Sequence, residues 1–300
     1  MGLNFPSLVM FADAQKRGVT FKNTLTIGKL SLCVYPEEWE MLSQVYPQVI
    51  PLLSRYTFGD RDEAYLRTMF SIDSLATMDF SSYEGATLLH DLSTPVAKEL
   101  HRAFDVVIEA GTIEHVFDIK TALANVMEMV SIGGTLFIST PANNFCGHGF
   151  YQLSPELLFR ALSEEHGFSL KHVWLVEGKY PSFELSRAAA VYDVRDPVAV
   201  RRRIGVQSAT PLMMLAEARR INDNTPFTRP VLQSDYVATW NGGGDVDRMS
   251  PLLKKLKSIF ARLPQNIRHL IEGAALRRRY SLSNRNVYTP VDLKKRLRSL

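Results

Sequence analysis

The sequence predicts an α/β protein built on a doubly wound sheet, and two stretches carry that prediction. The first is the apolar run Phe104 to Ile108, too short for a buried helix and rich in the branched residues that suit a strand covered on both faces. The second follows it directly. Glu109, Gly111, Thr112, Glu114 and His115 gather polar groups beyond the carboxyl end of that strand, where open α/β sheets place their ligand crevice. Asp118 then caps a helix whose Ile119, Ala122, Leu123, Val126, Met129 and Val130 share one face, and Gly133-Gly134 stops it. Thr135 to Ser139 forms a second apolar strand, which Pro141 closes because it cannot donate a ladder hydrogen bond.

Composition bounds the rest. Three hundred residues allow two average domains, or one domain with an appendage, and the appendage is favoured. Apolar content of 46% and charged content of 22% are ordinary for a soluble globular chain, and no apolar run nears the ~20 residues that cross a bilayer. The first residues lack the pattern of a secretory signal, and Pro6 argues against myristoylation after Met1-Gly2. Only Cys33 and Cys146 are present, so neither a disulfide framework nor a cysteine-rich zinc site is expected, and a reducing cytoplasm fits. Charge is uneven: residues 251–300 hold thirteen Lys or Arg against two acids, a net of +11 that leaves −7 for the remainder.

The ordered set FDVV, IEHV, Asp118, a helix, GG, LFIST and Pro141 resembles the second half of a class I S-adenosylmethionine-dependent methyltransferase, covering the fourth and fifth strands of that Rossmann-like fold. The segments MDFSSYEGA and HDL are similar to a branch of this superfamily found with bacterial polysaccharide biosynthesis genes. The resemblance implies S-adenosylmethionine as cofactor, with Gly28, Asp79, Asp91, Glu109, Gly111 and His115 around it. It also implies a last pair of strands forming an antiparallel hairpin.

From the N-terminus, Leu25 to Gly28 is where the first strand ends, in a turn where the resembled family is glycine-rich and this chain keeps only Gly28 before Lys29. Tyr35-Pro36-Glu37-Glu38-Trp39 starts a helix, with Pro in its first turn and acids near the positive end of its dipole. Asp79 ends the second strand and matches the acid that binds ribose hydroxyls in the resembled family, with Asp73 as its rival. A carboxylate can accept both hydroxyl hydrogen bonds there. Ala86 to Leu89 is the third strand, and Asp91 after it matches the position that meets the adenine amino group. For both Asp79 and Asp91 the competing role is a turn or cap carboxylate.

Beyond Pro141, the loop carrying Asn143, Asn144, Gly147, His148, Gly149, Tyr151 and Gln152 precedes a helix capped by Ser154. Loops in that place carry acceptor contacts in the resembled family, which makes Asn143, Asn144, Tyr151 and Gln152 candidate substrate residues. His148, between two glycines, is the candidate general base, with a structural loop histidine as the alternative. No metal is expected, because a Glu and a His adjacent on an extended segment point to opposite faces. A nicotinamide cofactor is disfavoured by the absence of a G-x-G-x-x-G turn.

Leu170 to Val176 and Ala188 to Val194 read as the terminal strand pair, joined by a polar segment that suits a lid. Arg201-Arg202-Arg203 reads as a solvated helix face or a phosphate contact, the solvated face being favoured. Residues 211–220 and 230–240 read as an extension over a sheet edge, with Gln233, Asp235 and Tyr236 as further contacts. After Gly242-Gly243-Gly244 the tail alternates Leu252, Leu253, Leu256, Ile259, Phe260 and Leu263 with Lys254, Lys255, Lys257 and Arg262, a basic amphipathic helix. Packing on its own domain, a peripheral contact with an anionic membrane, and binding of a polyanion compete for it. Nucleic acid has little support, since no stacking platform accompanies the charge. The expected organisation is a methyltransferase-like domain over 18–200, an accessory extension over 201–241 and a basic helical tail over 242–300. The expected reaction is methyl transfer to an oxygen or nitrogen of a small-molecule or glycan-related acceptor. The rival is a catalytically silent relative that keeps the fold as a binding or assembly module.

Overall fold

A computed structural model describes residues 2–178, 190–240 and 260–300. Its centre is a nine-stranded sheet in the order β11-β9-β8-β10-β7-β6-β2-β4-β5. In chain order these strands are β2 (Asn23–Ile27), β4 (Ser74–Asp79), β5 (Leu88–Leu89), β6 (Phe104–Ala110), β7 (Val130–Asn143), β8 (Phe168–Glu177), β9 (Ala190–Val194), β10 (Leu212–Arg220) and β11 (Tyr288–Pro290). The half from β5 to β7 is parallel, whereas β10, β8, β9 and β11 pair antiparallel. A separate parallel pair joins β1 (Gly2–Asn4) to β3 (Ser31–Cys33).

Both faces of the sheet are covered, which is why Val106, Val107 and Ile108 in the middle of β6 are all buried. Along β6, Val106, Ile108 and Ala110 enter one core cluster while Phe104 and Val107 enter the other. The first cluster packs under α1 (Phe5–Lys16), α2 (Pro36–Val45) and α4 (Ala64–Phe70), the short α3 (Ile50–Leu53) lying between the last two. The second packs under α5 (Ile119–Glu128) and α6 (Pro155–Ala161). The architecture is therefore the predicted doubly wound, Rossmann-like α/β sheet.

Caps follow the predicted chemistry. Glu38 reaches back to the Tyr35 amide at 2.9 Å, Asp118 accepts from Thr121 N at 3.1 Å, and Ser154 Oγ accepts from Leu157 N at 3.4 Å. Boundaries shift in two places. Helix α5 stops at Glu128, so Val130 and Gly133-Gly134 belong to a long β7 rather than ending the helix. The third strand shrinks to Leu88–Leu89.

Two elements, α1 and β10, depart from the expected layout. Helix α1, before the expected start at residue 18, is buried on nearly every side, and Asn4 caps it by accepting from Ser7 N at 3.2 Å. Residues 212–220, expected over an edge, form β10 in the sheet interior between β7 and β8. The expected hairpin of β8 with β9 forms, on the outer side of β8. Finally, part of the basic tail returns to the fold. Strand β11 pairs with β9, and the last helix packs on α1. That helix is α10 (Leu293–Arg298), numbered after α7 (Pro197–Val200), α8 (Ser234–Trp240) and α9 (Gln265–Tyr280). Arg296 of α10 bonds Asp13 at 2.8 Å and lies 5.0 Å over the Trp174 ring.

The lid segment, apart from its first residues, and the amphipathic pattern from Leu252 to Ile259 lie outside the described residues. No described helix is long and apolar enough to cross a membrane.

Candidate active site

The chain runs β2, β4, β5 outward in one direction and then returns to place β6 on the other side of β2. That reversal opens the crevice where doubly wound sheets bind ligands, at the carboxyl ends of β2 and β6. Gly28 follows β2 with φ +76°, and a Cβ there would stand 3.3 Å from Thr112 Oγ1. Thr112 in turn donates from Oγ1 to Ile27 O at 3.2 Å, so the two strand ends are tied across the crevice floor. The single glycine is thus used as a glycine, in a left-handed turn.

Glu109, the penultimate residue of β6, turns its fully buried carboxylate into the turn that follows. Its Oε1 accepts from the backbone N–H groups of Gly111, Thr112 and Ile113 at 3.0, 2.6 and 3.2 Å. Burial pushes its proton affinity up against the pull of these three donors. Its role is to shape the β6 turn, with Gly111 as one of the donors.

After this turn Ile113–His115 forms a single turn of 3-10 helix instead of an extended segment. The geometric reason for expecting no metal therefore fails. Ligating atoms of Glu114, His115 and His148 all lie within 4.8 Å of one another. Glu114 is completely buried, and burial together with the nearby Glu109 charge drives its proton affinity up. His115 is exposed, and the partial loss of water around its ring together with the neighbouring His148 pushes its pKa down.

The loop after β7 is docked on Glu114 by backbone geometry. Phe150 N and Tyr151 N donate to Glu114 O at 2.8 and 3.3 Å. Gly149 has φ +71°, and a Cβ on it would lie 2.8 Å from that same carbonyl oxygen. This close approach brings His148 Nε2 to 3.5 Å from Glu114 Oε1 and its ring to 4.9 Å from the His115 ring, edge to face. Gly149 is the sequence signal for this docking, because a left-handed residue against a carbonyl admits little else.

The other predicted residues divide by position. Asp79, half-buried at the end of β4, accepts from Phe80 N at 2.6 Å and borders the β2 turn, where Gly28 N donates to Met78 O at 2.7 Å. Asp91 is exposed and accepts from Ser93 N at 2.9 Å, a turn-capping bond that holds its carboxyl below the usual range. Of the proposed acceptor contacts, three side chains build the loop itself. Asn144 donates to Ser208 O and Thr210 O at 2.7 and 3.0 Å, Gln152 Oε1 accepts from Phe145 N at 2.9 Å, and Tyr151 donates to Phe117 O at 2.7 Å. Asn143 ends β7 opposite Leu212. Farther away, Asp235 pairs with Arg203, and Tyr236 lies 5.3 Å from the same guanidinium, so both serve the α8 packing.

Phe117 and Phe150 were not singled out from the sequence. They are 79% and 67% exposed and meet edge to face at 5.9 Å beside the His148 loop. Two larger cavities lie elsewhere. One of 510 Å³ is lined by Lys120, Leu123, Leu157 and Phe227, and a basic one of 490 Å³ by Arg202, Arg278, Arg279 and Arg285. The site assignment rests on strand order and on the two docked turns rather than on cavity size.

No family model matches the sequence, and no curated protein matches it. Solved structures with a similar backbone include a candidate methyltransferase from Bacillus halodurans, 10% identical, covering 71% of this chain and 99% of that one at a TM-score of 0.38. Another is the Burkholderia thailandensis 1,6-didemethyltoxoflavin-N1-methyltransferase with S-adenosylhomocysteine bound, 10% identical over 73% of this chain and 79% of that one, TM-score 0.37. A third is an S-adenosylmethionine-dependent methyltransferase of Thermotoga maritima, 14% identical over 71% and 89%, TM-score 0.35. Similarity this distant transfers no residue role to this chain.

Proposed function

We propose that this chain binds S-adenosylmethionine in the crevice between β2 and β6 and transfers its methyl group to an oxygen or nitrogen of a small-molecule or glycan-related acceptor. The observation that carries the proposal is the topological reversal at β2, with a left-handed Gly28 on one side and the Glu109-organised turn on the other. The residues present fit the cofactor. Asp79 offers a carboxylate at the end of β4 for vicinal ribose hydroxyls, Asp91 lies beyond β5 for the base, and Gly28 lets a ligand approach the backbone. Bound there, S-adenosylmethionine would supply an electrophilic methyl group.

The chain's own task is then alignment and removal of a proton. The Glu114 carbonyl fixes the loop that presents His148, and the Glu114 carboxylate faces His148 Nε2. Held against Glu114 in this way, the His148 imidazole is the group that receives the acceptor's proton. The exposed Phe117–Phe150 pair gives a ring-shaped acceptor, a sugar included, an apolar surface to lie against. Calorimetric titration of the full chain with S-adenosylmethionine and S-adenosylhomocysteine tests the proposal. Saturable one-to-one binding is expected for both, and no binding of either overturns it.

A further inference from the structure

We infer that Glu114, His115 and His148 form a binding site for one divalent first-row transition-metal ion. Two imidazoles and one carboxylate come from two different loops, and their ligating atoms lie within 4.8 Å of one another. Donor atoms around such an ion sit roughly 3 to 3.5 Å apart. The Glu114 and His148 atoms already stand 3.5 Å apart, and His115 is exposed, so turning its side chain closes the remaining gap.

The second observation is the state of the carboxylate. Glu114 is 0% exposed, yet neither of its oxygens accepts a hydrogen bond from another described residue. A buried carboxylate left this way must take up a proton or meet a cation, and the two imidazoles whose nitrogens lie within 4.8 Å of it favour the cation. The backbone also holds the site in place. Phe150 N, Tyr151 N and the close approach of Gly149 all fasten the His148 loop to the Glu114 carbonyl. An ion pair between Glu114 and one histidine would need only His148; the second imidazole at 4.9 Å completes a ligand set.

The chemistry of the set selects the ion. Imidazole nitrogens with one carboxylate suit zinc, cobalt, manganese or iron rather than magnesium or calcium, which prefer all-oxygen shells. Three protein ligands leave further positions open, as in catalytic rather than structural sites. Through the methyl-transfer proposal, on which this part rests, those positions favour an acceptor that presents a hydroxyl oxygen. On coordination the hydroxyl gives its proton to solvent. An oxygen lone pair then forms the new O–C bond as the S–C bond breaks, the electron pair of that bond remaining on sulfur. With the ion bound, His148 acts as a ligand and the ion takes over activation of the hydroxyl.

The test uses the full chain freed of metal by chelator and dialysis, then titrated with Co²⁺ while visible ligand-field absorption and heat are recorded. One Co²⁺ per chain is expected, displaced by Zn²⁺. His115→Ala, His148→Ala and Glu114→Gln should each weaken it about tenfold or more, while His269→Ala leaves it unchanged. Circular dichroism of each variant reports folding, and the two histidine changes keep the test valid if Glu114→Gln unfolds. No saturable Co²⁺ binding, or wild-type affinity in both histidine variants, overturns the site. S-adenosylhomocysteine titrated into the same samples reads the methyl-transfer proposal separately, so cobalt binding without cofactor binding upholds the metal site alone.

Discussion

The two ends of the crevice are built differently. At the β6–β7 end, carboxylates are buried, their proton affinity is raised, and two turns are clamped by backbone N–H groups and a left-handed glycine. At the β4–β5 end, Asp79 and Asp91 sit at short or exposed strand ends, and hydrogen bonds from Ser93 hold the Asp91 carboxyl below the usual range. Burial of polar groups fixes geometry at a cost in stability, which suits the end where the proposed methyl transfer would take place. Exposed carboxylates leave the chain's shape alone and offer acceptors to a ligand, which suits a nucleoside. The difference predicts that mutations at the first end damage structure and turnover, and those at the second damage affinity.

The largest effect should come from Glu109→Ala. It strands three N–H donors of the β6 turn, two of them on buried residues, and should cost about 3 kcal/mol or more in a denaturant melt. An unchanged midpoint would remove the buried-clamp half of the comparison. Gly149→Ala comes next. Its Cβ would meet the Glu114 carbonyl at 2.8 Å in a left-handed backbone, a strain of about 1–3 kcal/mol, whereas Gly147→Ala meets nothing within 4 Å. Turnover should fall about 100-fold for Gly149→Ala, with S-adenosylhomocysteine affinity kept, and should stay near wild type for Gly147→Ala. Equal turnover in the two variants would show that the loop need not be docked.

The smallest effect is a pH dependence at the exposed end. Because the Ser93 N–H lowers the Asp91 pKa, the ionised form and its contribution persist above the ordinary carboxylate range and are lost only as pH falls through the lowered value. S-adenosylhomocysteine affinity should therefore be flat between about pH 7 and 5. A decline already at pH 6 would place a histidine or a buried carboxylate in contact with the nucleoside.

How much of this was legible in the sequence follows from what each segment had to bury. The β6–α5–β7 unit showed itself because its strands are apolar on both faces and its polar rim follows at once. Strand β10 did not, because LMMLAEARR is made of helix formers and only its place between β7 and β8 makes it a strand. Helix α1 lacks a polar face to give a period, though Asn4 with Pro6 in the first turn was a readable start. The returning β11 and α10 were hidden within the charge of the tail, since Tyr288 and Leu297 alone carry much of their burial. In the site, the Glu114–His148 approach depends on two loops meeting, and Gly149 was its single local sign.

The comparison is tested most directly by measuring S-adenosylhomocysteine affinity for Asp79→Ala and His148→Ala side by side. The account predicts that Asp79→Ala weakens binding by roughly 10- to 100-fold, the loss of a charged hydrogen-bond partner, while His148→Ala binds as wild type. Wild-type affinity in Asp79→Ala, or an equal loss in both variants, would contradict it.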